Sequence, residues 1–417
     1  MAKEIEPGLW AHVPSPFCGI GADDLKIRVR GDQVEVLENG DDVTLPAFEE
    51  PLGERQPSIS GKPVPLEEAV SQAAKILKHA ELPLLGGLAT DVAGMRAALS
   101  LADRLGAVVD NMNSTAAMRN ILVLQDSGWM TTTLAEVRNR CDLLVVVGVD
   151  METLFPRFFE RHLWVDGMFA ENSAREVIYL GKAPSGQPNS VSKVLACSDQ
   201  DLPAVVGMLR ALINDRPIQA EAVGGVAVEE LRSLADSLKN ARYGVVAWAA
   251  AALDWPQAEL TVQILCEMVK DLNQTTRCSG LPLGGKEGDQ TANQVCGWQT
   301  GYPVRTRFSR GYPEYDPYLN ACDVLIESGE ADALLWVSAY NTNRTPPKCG
   351  LPTIVLGRCG MTFEQSPDVY IPIGVPGIDH AGHTYRMDNV VAVRLFKLRE
   401  AGLPSTAQVL QAIQEAL

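Results

Sequence analysis

The sequence of 417 residues is poor in paired cysteines, in long apolar runs and in positive charge. Its nine cysteines include no CxxC pair, which argues against a disulfide framework and against a zinc ribbon. No run approaches the roughly 18 apolar residues of a membrane-spanning helix, and the first residues contain no apolar signal segment. The net charge of -16 opposes binding to nucleic acid or to an anionic membrane surface. We therefore expect a cytoplasmic protein that binds neither.

Motifs of several common enzyme classes are also absent. There is no GxSxG nucleophile turn and no GxxxxGK[ST] phosphate loop, so hydrolase and kinase chemistry have little support. Gly86 and Gly87 follow a predicted strand and precede a predicted helix, an arrangement that either binds a nucleotide phosphate or is a plain tight turn. His380 and His383 form an HxxH pair that is either a metal site or two loop histidines.

The pattern of apolar residues predicts an α/β fold. Continuous apolar strands alternate with amphipathic helices from Pro65 onward, which indicates parallel sheets covered on both faces. We predict two doubly wound, mostly parallel-sheet lobes and a small N-terminal β region. The predicted boundaries are 1–60 for the β region, 61–225 for the first α/β domain, 226–350 for the second, and 351–417 for a C-terminal segment that rejoins the first.

A segment rich in arginine and aromatic residues lies between Tyr302 and Pro317. Arg305, Arg307 and Arg310 could clamp an anion through paired hydrogen bonds, or they could seat an acidic partner protein. Salt bridges within a long loop are an equally good interpretation. The aromatic side chains of this segment would suit a protein interface.

Segments in a fixed order then identify a family resemblance, which covers nearly the whole chain. The segments are FCGIGADDLKIRV, DNMNSTAAMRN, TTTLAEVRNRCDLLVVVG, TGYPVRTRFSRGYPEYDP and GHTYRMDNV. Together they resemble the B subunit of formylmethanofuran dehydrogenase, a relative of the molybdopterin-dependent formate dehydrogenases. The resemblance implies a molybdopterin-oxidoreductase-like fold with its domains I to III.

The same resemblance shows which ligands this chain has lost. The family holds a [4Fe-4S] cluster on a CxxCxxxC run, and the corresponding residues here are Ser15, Cys18 and Ala22. One thiolate cannot hold a cluster that needs about four. The family's tungsten or molybdenum ligand Cys and the adjacent His correspond to Ala116 and Ala117. We therefore expect no catalytic residue, no metal and no bound cofactor.

This loss is similar to the pattern in the formyltransferase/hydrolase complex of methylotrophic bacteria. The resemblance implies a non-catalytic structural B subunit whose main contact is an amidohydrolase-like A subunit, together with a C subunit and a formyltransferase D subunit. Such a complex converts formyl-tetrahydromethanopterin to formate through a furan-type carrier during formaldehyde oxidation. By the same alignment the emptied cofactor cleft would be lined by Asn111, Arg305, Arg307, Arg310 and Arg386.

Two alternative functions remain open at the level of sequence. The first is a working tungsten- or molybdenum-pterin dehydrogenase subunit with unusual ligands, which would contain iron. The second is a stand-alone nucleotide-binding α/β protein, which only the Gly86 turn favours.

Overall fold

The computed structural model describes residues 2–185 and 193–417. Its helices are α1 Thr44–Glu49, α2 Leu66–His79, α3 Val92–Leu105, α4 Ser114–Ser127, α5 Leu134–Arg140, α6 Met151–Leu154, α7 Leu202–Ile213, α8 Val228–Asn240, α9 Ala258–Leu272, α10 Asp289–Thr300, α11 Cys322–Glu327 and α12 Thr406–Ala416. Its strands are β1 Lys3–Glu6, β2 Leu9–Val13, β3 Leu25–Arg30, β4 Gln33–Glu38, β5 Ser58–Ile59, β6 Lys62–Pro63, β7 Pro83–Ala89, β8 Val108–Val109, β9 Leu143–Val147, β10 Glu176–Gly181, β11 Lys193–Ala196, β12 Ala222–Val223, β13 Val226–Ala227, β14 Gly244–Ala249, β15 Cys278–Leu283, β16 Thr306–Arg307, β17 Glu314–Tyr315, β18 Ala333–Ser338, β19 Thr353–Arg358, β20 Val369–Ile373, β21 Gly382–Tyr385 and β22 Ala392–Leu395.

The chain divides into two compact units, one formed by residues 1–115 and 285–417 and the other by residues 116–284. The first unit contains a sheet in the order β17-β16-β8-β7-β18-β19-β20-β5-β6. Its five central strands, β8 to β20, run parallel, and short antiparallel strands border them. Every residue of β7, β18, β19 and β20 is buried, as expected for strands covered on both faces.

The second unit is built on a fully parallel sheet in the order β11-β10-β9-β14-β15. Its central strand β9 is a run of Leu and Val residues, all of them buried. Such an apolar run, rich in β-branched valine, suits a strand whose two faces both pack against other elements. Helices α7, α8 and α9 contribute their apolar faces to the same core.

The N-terminal residues form a separate antiparallel sheet, β1-β2-β3-β4, within the first unit. In β3 the apolar Leu25 and Ile27 are buried, whereas the alternating Lys26 and Arg28 are only partly covered. This period of two fixes which face of the hairpin meets the core.

The predicted fold class is confirmed, but the sheet pairing moves the predicted boundaries. The boundary at 225/226 would separate β9 and β10 from β14, although β9 pairs with both in one sheet. The boundary at 350/351 would separate β18 from β19, which are paired neighbours. The physical reason is that the chain leaves the first sheet after β8 and returns to it at β16, so one unit is an insertion in the other.

One edge of the first unit's sheet is suited to ligand binding. Strand β7 lies between β8 and β18, and the three strands run parallel, so their carboxyl ends meet at the same edge. Open α/β sheets bind ligands in the crevice at such a point, where connections depart in opposite directions. Among the described residues, no helix combines the length and apolar character needed to cross a bilayer.

Candidate functional site

The structure brings the three predicted cluster positions together in one closed loop. The amide of Ser15 donates to the carbonyl oxygen of Ala22 at 2.7 Å, and the amide of Ala22 lies 3.4 Å from Cys18 Sγ. All three residues are at most 2% exposed. Gly19 and Gly21 have φ of +64° and +65°, a conformation that closes the loop and that side chains rarely adopt.

This loop does not fit an iron-sulfur cluster. Burial raises the pKa of the Cys18 thiol above its ordinary value, although the hydrogen bond from the amide of Ala22 offsets part of the rise. A cluster ligand must be a thiolate, and raising the pKa disfavours that form. Ser15 Oγ is already engaged with Thr44 Oγ1 at 3.3 Å, and Ala22 has no donor atom. Cys18 is therefore a buried, neutral side chain that accepts a hydrogen bond.

The predicted metal position does not fit tungsten or molybdenum either. Ala116 and Ala117 lie in the first turn of α4, and both side chains are methyl groups without a lone pair. Across residues 2–185 and 193–417, no group of three or more His, Cys, Asp or Glu side chains is arranged to hold a metal ion. His380 instead places Nδ1 3.0 Å from the neighbouring carbonyl oxygen of Ala381.

A cleft of about 310 Å³ opens at the carboxyl ends of β7 and β8. Asn111 lies in its wall, donating from Nδ2 to the carbonyl oxygen of Gly87 at 2.9 Å and accepting the amide of Asn113 at 2.8 Å. Ser114 and Asn343 also border the cleft. The wall therefore presents amide and hydroxyl groups that can bind a small polar molecule.

Asp110 lies in the same wall and forms a buried ion pair. Its Oδ2 accepts the amide of Cys322 at 2.8 Å, its Oδ1 accepts the amide of Asn111 at 2.9 Å, and Arg305 Nε lies 3.7 Å from Oδ1. Burial raises the pKa of Asp110 to about 6, while the Arg305 guanidinium and the amide of Cys322 oppose the rise. Desolvation therefore outweighs the pairing with Arg305 at this distance.

The predicted cleft arginines separate into different environments. Arg305 lies behind the cleft wall, where its Nη2 donates to Ser114 Oγ at 3.1 Å. Arg307 and Arg310 do not line the cleft, because they form surface ion pairs at 3.4 Å with Glu330 and at 3.2 Å with Glu314. The reason is that β16 runs antiparallel to β8, so Arg307 and the hairpin turn that contains Arg310 lie toward the amino end of β8.

Arg386 also lies away from this cleft. Its guanidinium donates to both carboxylate oxygens of Asp388, at 2.9 Å and 2.6 Å. Its methylene chain packs beside the Cys18 loop, since a Cβ added to Gly21 would lie 3.2 Å from Arg386 Cδ. Arg386 therefore packs beside the Cys18 loop, and its role in lining an emptied cofactor cleft stays a prediction.

Glu287 lies at the centre of a group of polar side chains that the sequence did not reveal. It accepts from Asn113 Nδ2 at 3.2 Å and from Asn341 Nδ2 at 3.0 Å, and Arg344 Nε lies 3.1 Å from its carboxylate. It borders a second cleft of about 760 Å³, and Asn343 borders both clefts. The only signal in the sequence is the charged turn GGKEG, in which Gly285 has φ of +81° and lies against the Cys18 loop.

The glycine pair proposed as a phosphate turn lies inside a strand. Gly86 and Gly87 belong to β7, and the register against β18 shifts beyond Trp336, as in a β-bulge. A Cβ on Gly87 would lie 2.5 Å from the carbonyl oxygen of Val337, so only glycine fits there. The pair therefore serves close packing beneath Trp336 and does not form the loop before α3.

Comparison with known proteins identifies relatives of this chain. No protein-family model matches the chain. It is 28% identical over 399 residues to the B subunit of tungsten-containing formylmethanofuran dehydrogenase 2 from Methanocaldococcus jannaschii, covering 91% of each chain. The corresponding protein of Methanococcus maripaludis is 26% identical, with 97% of each chain covered. This chain is a homologue of the formylmethanofuran dehydrogenase B subunit.

A further relative comes from a bacterial complex. The B subunit of the formyltransferase/hydrolase complex Fhc of Methylorubrum extorquens is 29% identical over 334 residues, covering 76% of this chain and 85% of the relative. The crystal structure of that FhcABCD complex with methylofuran contains a similar chain, with a TM-score of 0.72 and 27% identity. The match spans 86% of this chain and 98% of that one. The resemblance predicted from the sequence segments is confirmed.

Proposed function

We propose that this chain is the non-catalytic B subunit of a cytoplasmic formyltransferase/hydrolase complex. In this role it contacts mainly an amidohydrolase-like A subunit, and it assembles with the C and D subunits. The complex moves a formyl group from tetrahydromethanopterin to a furan-type carrier and releases it as formate. This chain supplies shape and contact surface to the complex, with no iron-sulfur cluster and no pterin-bound metal.

The observation that carries this proposal is the donor set at the two former redox positions. Ser15, Cys18 and Ala22 still converge in one loop, but they supply a single buried thiol. Ala116 and Ala117 supply no donor at all. The likeness to the Fhc protein and to a chain of the FhcABCD complex supports the same function.

The rival function, an active tungsten-containing dehydrogenase, is favoured by the names of two relatives at similar identity. It requires a set of thiolate ligands, whereas these positions supply one buried thiol, Cys18, at the cluster site and none at the metal site. The nucleotide-binding alternative loses its support because Gly86 and Gly87 lie within β7.

Native purification tests the proposal. The chain should elute in a hetero-oligomer with three other types of protein, and the assembly should release formate from formyl-tetrahydromethanopterin plus the furan carrier. Oxidation of formate coupled to viologen reduction by the same assembly would support the dehydrogenase instead. Elution of the chain alone would contradict the structural role.

A further inference from the structure

Exposed aromatic and apolar side chains are concentrated in residues 302–319, which we call the aromatic segment. It contains the hairpin β16–β17 and the turn that follows. Tyr312 is 52% exposed, Tyr318 64% and Leu319 65%. Single exposed apolar residues are normal on a protein surface, but several in one short segment mark an interaction site.

The turn that carries Tyr318 and Leu319 is held in one conformation. Asp316 Oδ1 accepts the amide of Tyr318 and the amide of Leu319, each at 2.8 Å. The two side chains are therefore presented to solvent by a backbone with its hydrogen bonds already made. Preorganised side chains of this kind lose little conformational entropy on binding.

Two buried polar residues fix the same turn from below. Arg305 donates from Nη1 to the carbonyl oxygen of Pro317, and it is only 7% exposed. Asn320 Nδ2 donates to the carbonyl oxygens of Arg305 and Glu314, at 3.2 Å and 3.3 Å. Arg305, for which an anion clamp was one of several interpretations from the sequence, therefore supports the aromatic segment.

Stacking and ion pairing order the hairpin as well. The rings of Tyr302 and Tyr315 stack with centroids 5.8 Å apart and planes 10° apart. Arg310 pairs with Glu314 at 3.2 Å and hydrogen bonds to Tyr312, and its side chain is 71% exposed. Tyrosine and arginine on a rigid support are the residues most enriched at interface hot spots.

Charge indicates the kind of partner. The aromatic segment contains three arginines and two acidic residues, a net charge of +1 in a chain of -16, so the remainder carries -17. Two copies of such a chain repel each other, which disfavours self-association. Arg305 and Arg307 already pair with Asp110 and Glu330 outside the segment, so the cation available to an acidic group on a different protein is Arg310, which is 71% exposed.

We propose that the aromatic segment is the docking surface for a partner protein whose contact face has an apolar pocket rimmed by carboxylates. The pocket receives Tyr318 and Leu319, and the carboxylates receive Arg310. This inference rests on the proposed function, because it names a contact surface within that assembly.

The test uses the full chain co-expressed with the A, C and D subunits and purified on a tag placed on the A subunit. The double variant Tyr318→Ala/Leu319→Ala should weaken assembly at least tenfold in Kd, as for removal of a hot spot. Val390→Ala, which truncates another apolar residue that is 59% exposed, serves as the matched control and should leave assembly unchanged. Arg310→Glu should slow association and reverse its dependence on salt.

The outcomes separate the inference from the proposed function. If the wild-type chain assembles and the double variant Tyr318→Ala/Leu319→Ala assembles as well as the control Val390→Ala, the inference is overturned and the proposed function stands. If the wild-type chain binds none of the other three proteins, the proposed function fails and the inference fails with it. Loss of self-association alone in the double variant would also overturn it, because the occupant would be a second copy. Thermal unfolding of each free variant confirms that its fold is intact.

Discussion

The buried carboxylate of Asp110 makes a quantitative test of the cleft geometry. The variant Asp110→Asn keeps the shape of the side chain but replaces one acceptor oxygen with an NH2 group. Both oxygens accept main-chain amides in the wild type, from Asn111 and Cys322. One amide would therefore lose its acceptor, at a cost of about 1–3 kcal/mol that does not depend on pH.

The charge of Asp110 adds a contribution to the free energy of unfolding that does depend on pH. Folding raises the pKa of this residue from 3.8 to about 6. A raised pKa means that the folded state holds the proton more tightly, so the stabilisation is fully present below pH 3.8 and is lost as pH rises through 6. A shift of about 2 units at 1.36 kcal/mol per unit corresponds to about 3 kcal/mol over the whole range. About 1.4 kcal/mol of this falls between pH 5 and pH 7.5.

Urea unfolding of wild type and Asp110→Asn at pH 5 and pH 7.5, followed by tryptophan fluorescence, measures this difference. Because the asparagine does not titrate, the variant should gain about 1.4 kcal/mol relative to wild type between the two pH values. Asp215→Asn serves as the control, since Asp215 is exposed and pairs with Lys239 at the surface. A difference between wild type and Asp110→Asn that is the same at both pH values would refute the burial argument.

Three further substitutions test other parts of the structure by the free energy of unfolding. Cys18→Ala removes a buried hydrogen-bond acceptor and should cost about 1–2 kcal/mol without changing metal content, and iron lost with the thiol would contradict this. Gly87→Ala should cost more than Gly329→Ala, because both have positive φ but only the Cβ on Gly87 would clash, at 2.5 Å from a carbonyl oxygen of β18. Arg399→Leu strands the buried carboxylate of Asp379, 2.8 Å away, and should cost about 3–5 kcal/mol, and an effect below about 1 kcal/mol would show that the pair is not desolvated.

Local patterns predicted the elements well, because period and capping are properties of short segments. The apolar spacing after Pro65 predicts a helix, and α2 runs from Leu66 to His79. Helix α3 begins after Asp91, which accepts the amide of Gly94 at 3.0 Å, although Thr90 immediately precedes it. Both residue types are good caps, and the sequence does not distinguish neighbouring candidates.

Features that depend on distant contacts were not predictable in the same way. The unit boundaries follow from β7 pairing with β18, about 250 residues later in the chain, which no local pattern encodes. The polar centre at Glu287 needs Asn113 from the loop after β8, and Asn341 and Arg344 from the loop after β18. The positions Ser15, Cys18 and Ala22 were identified from the family's CxxCxxxC pattern, since composition alone does not indicate them.

Elemental analysis of the anaerobically purified native assembly determines whether this chain holds a redox metal centre. Because the two former ligand positions offer one buried thiol and two methyl groups, we expect far less than one iron, tungsten or molybdenum atom per chain. The same assembly should still release formate. About four irons per chain, the content of one cubane cluster, or one equivalent of tungsten or molybdenum, would show that the chain is a working redox protein.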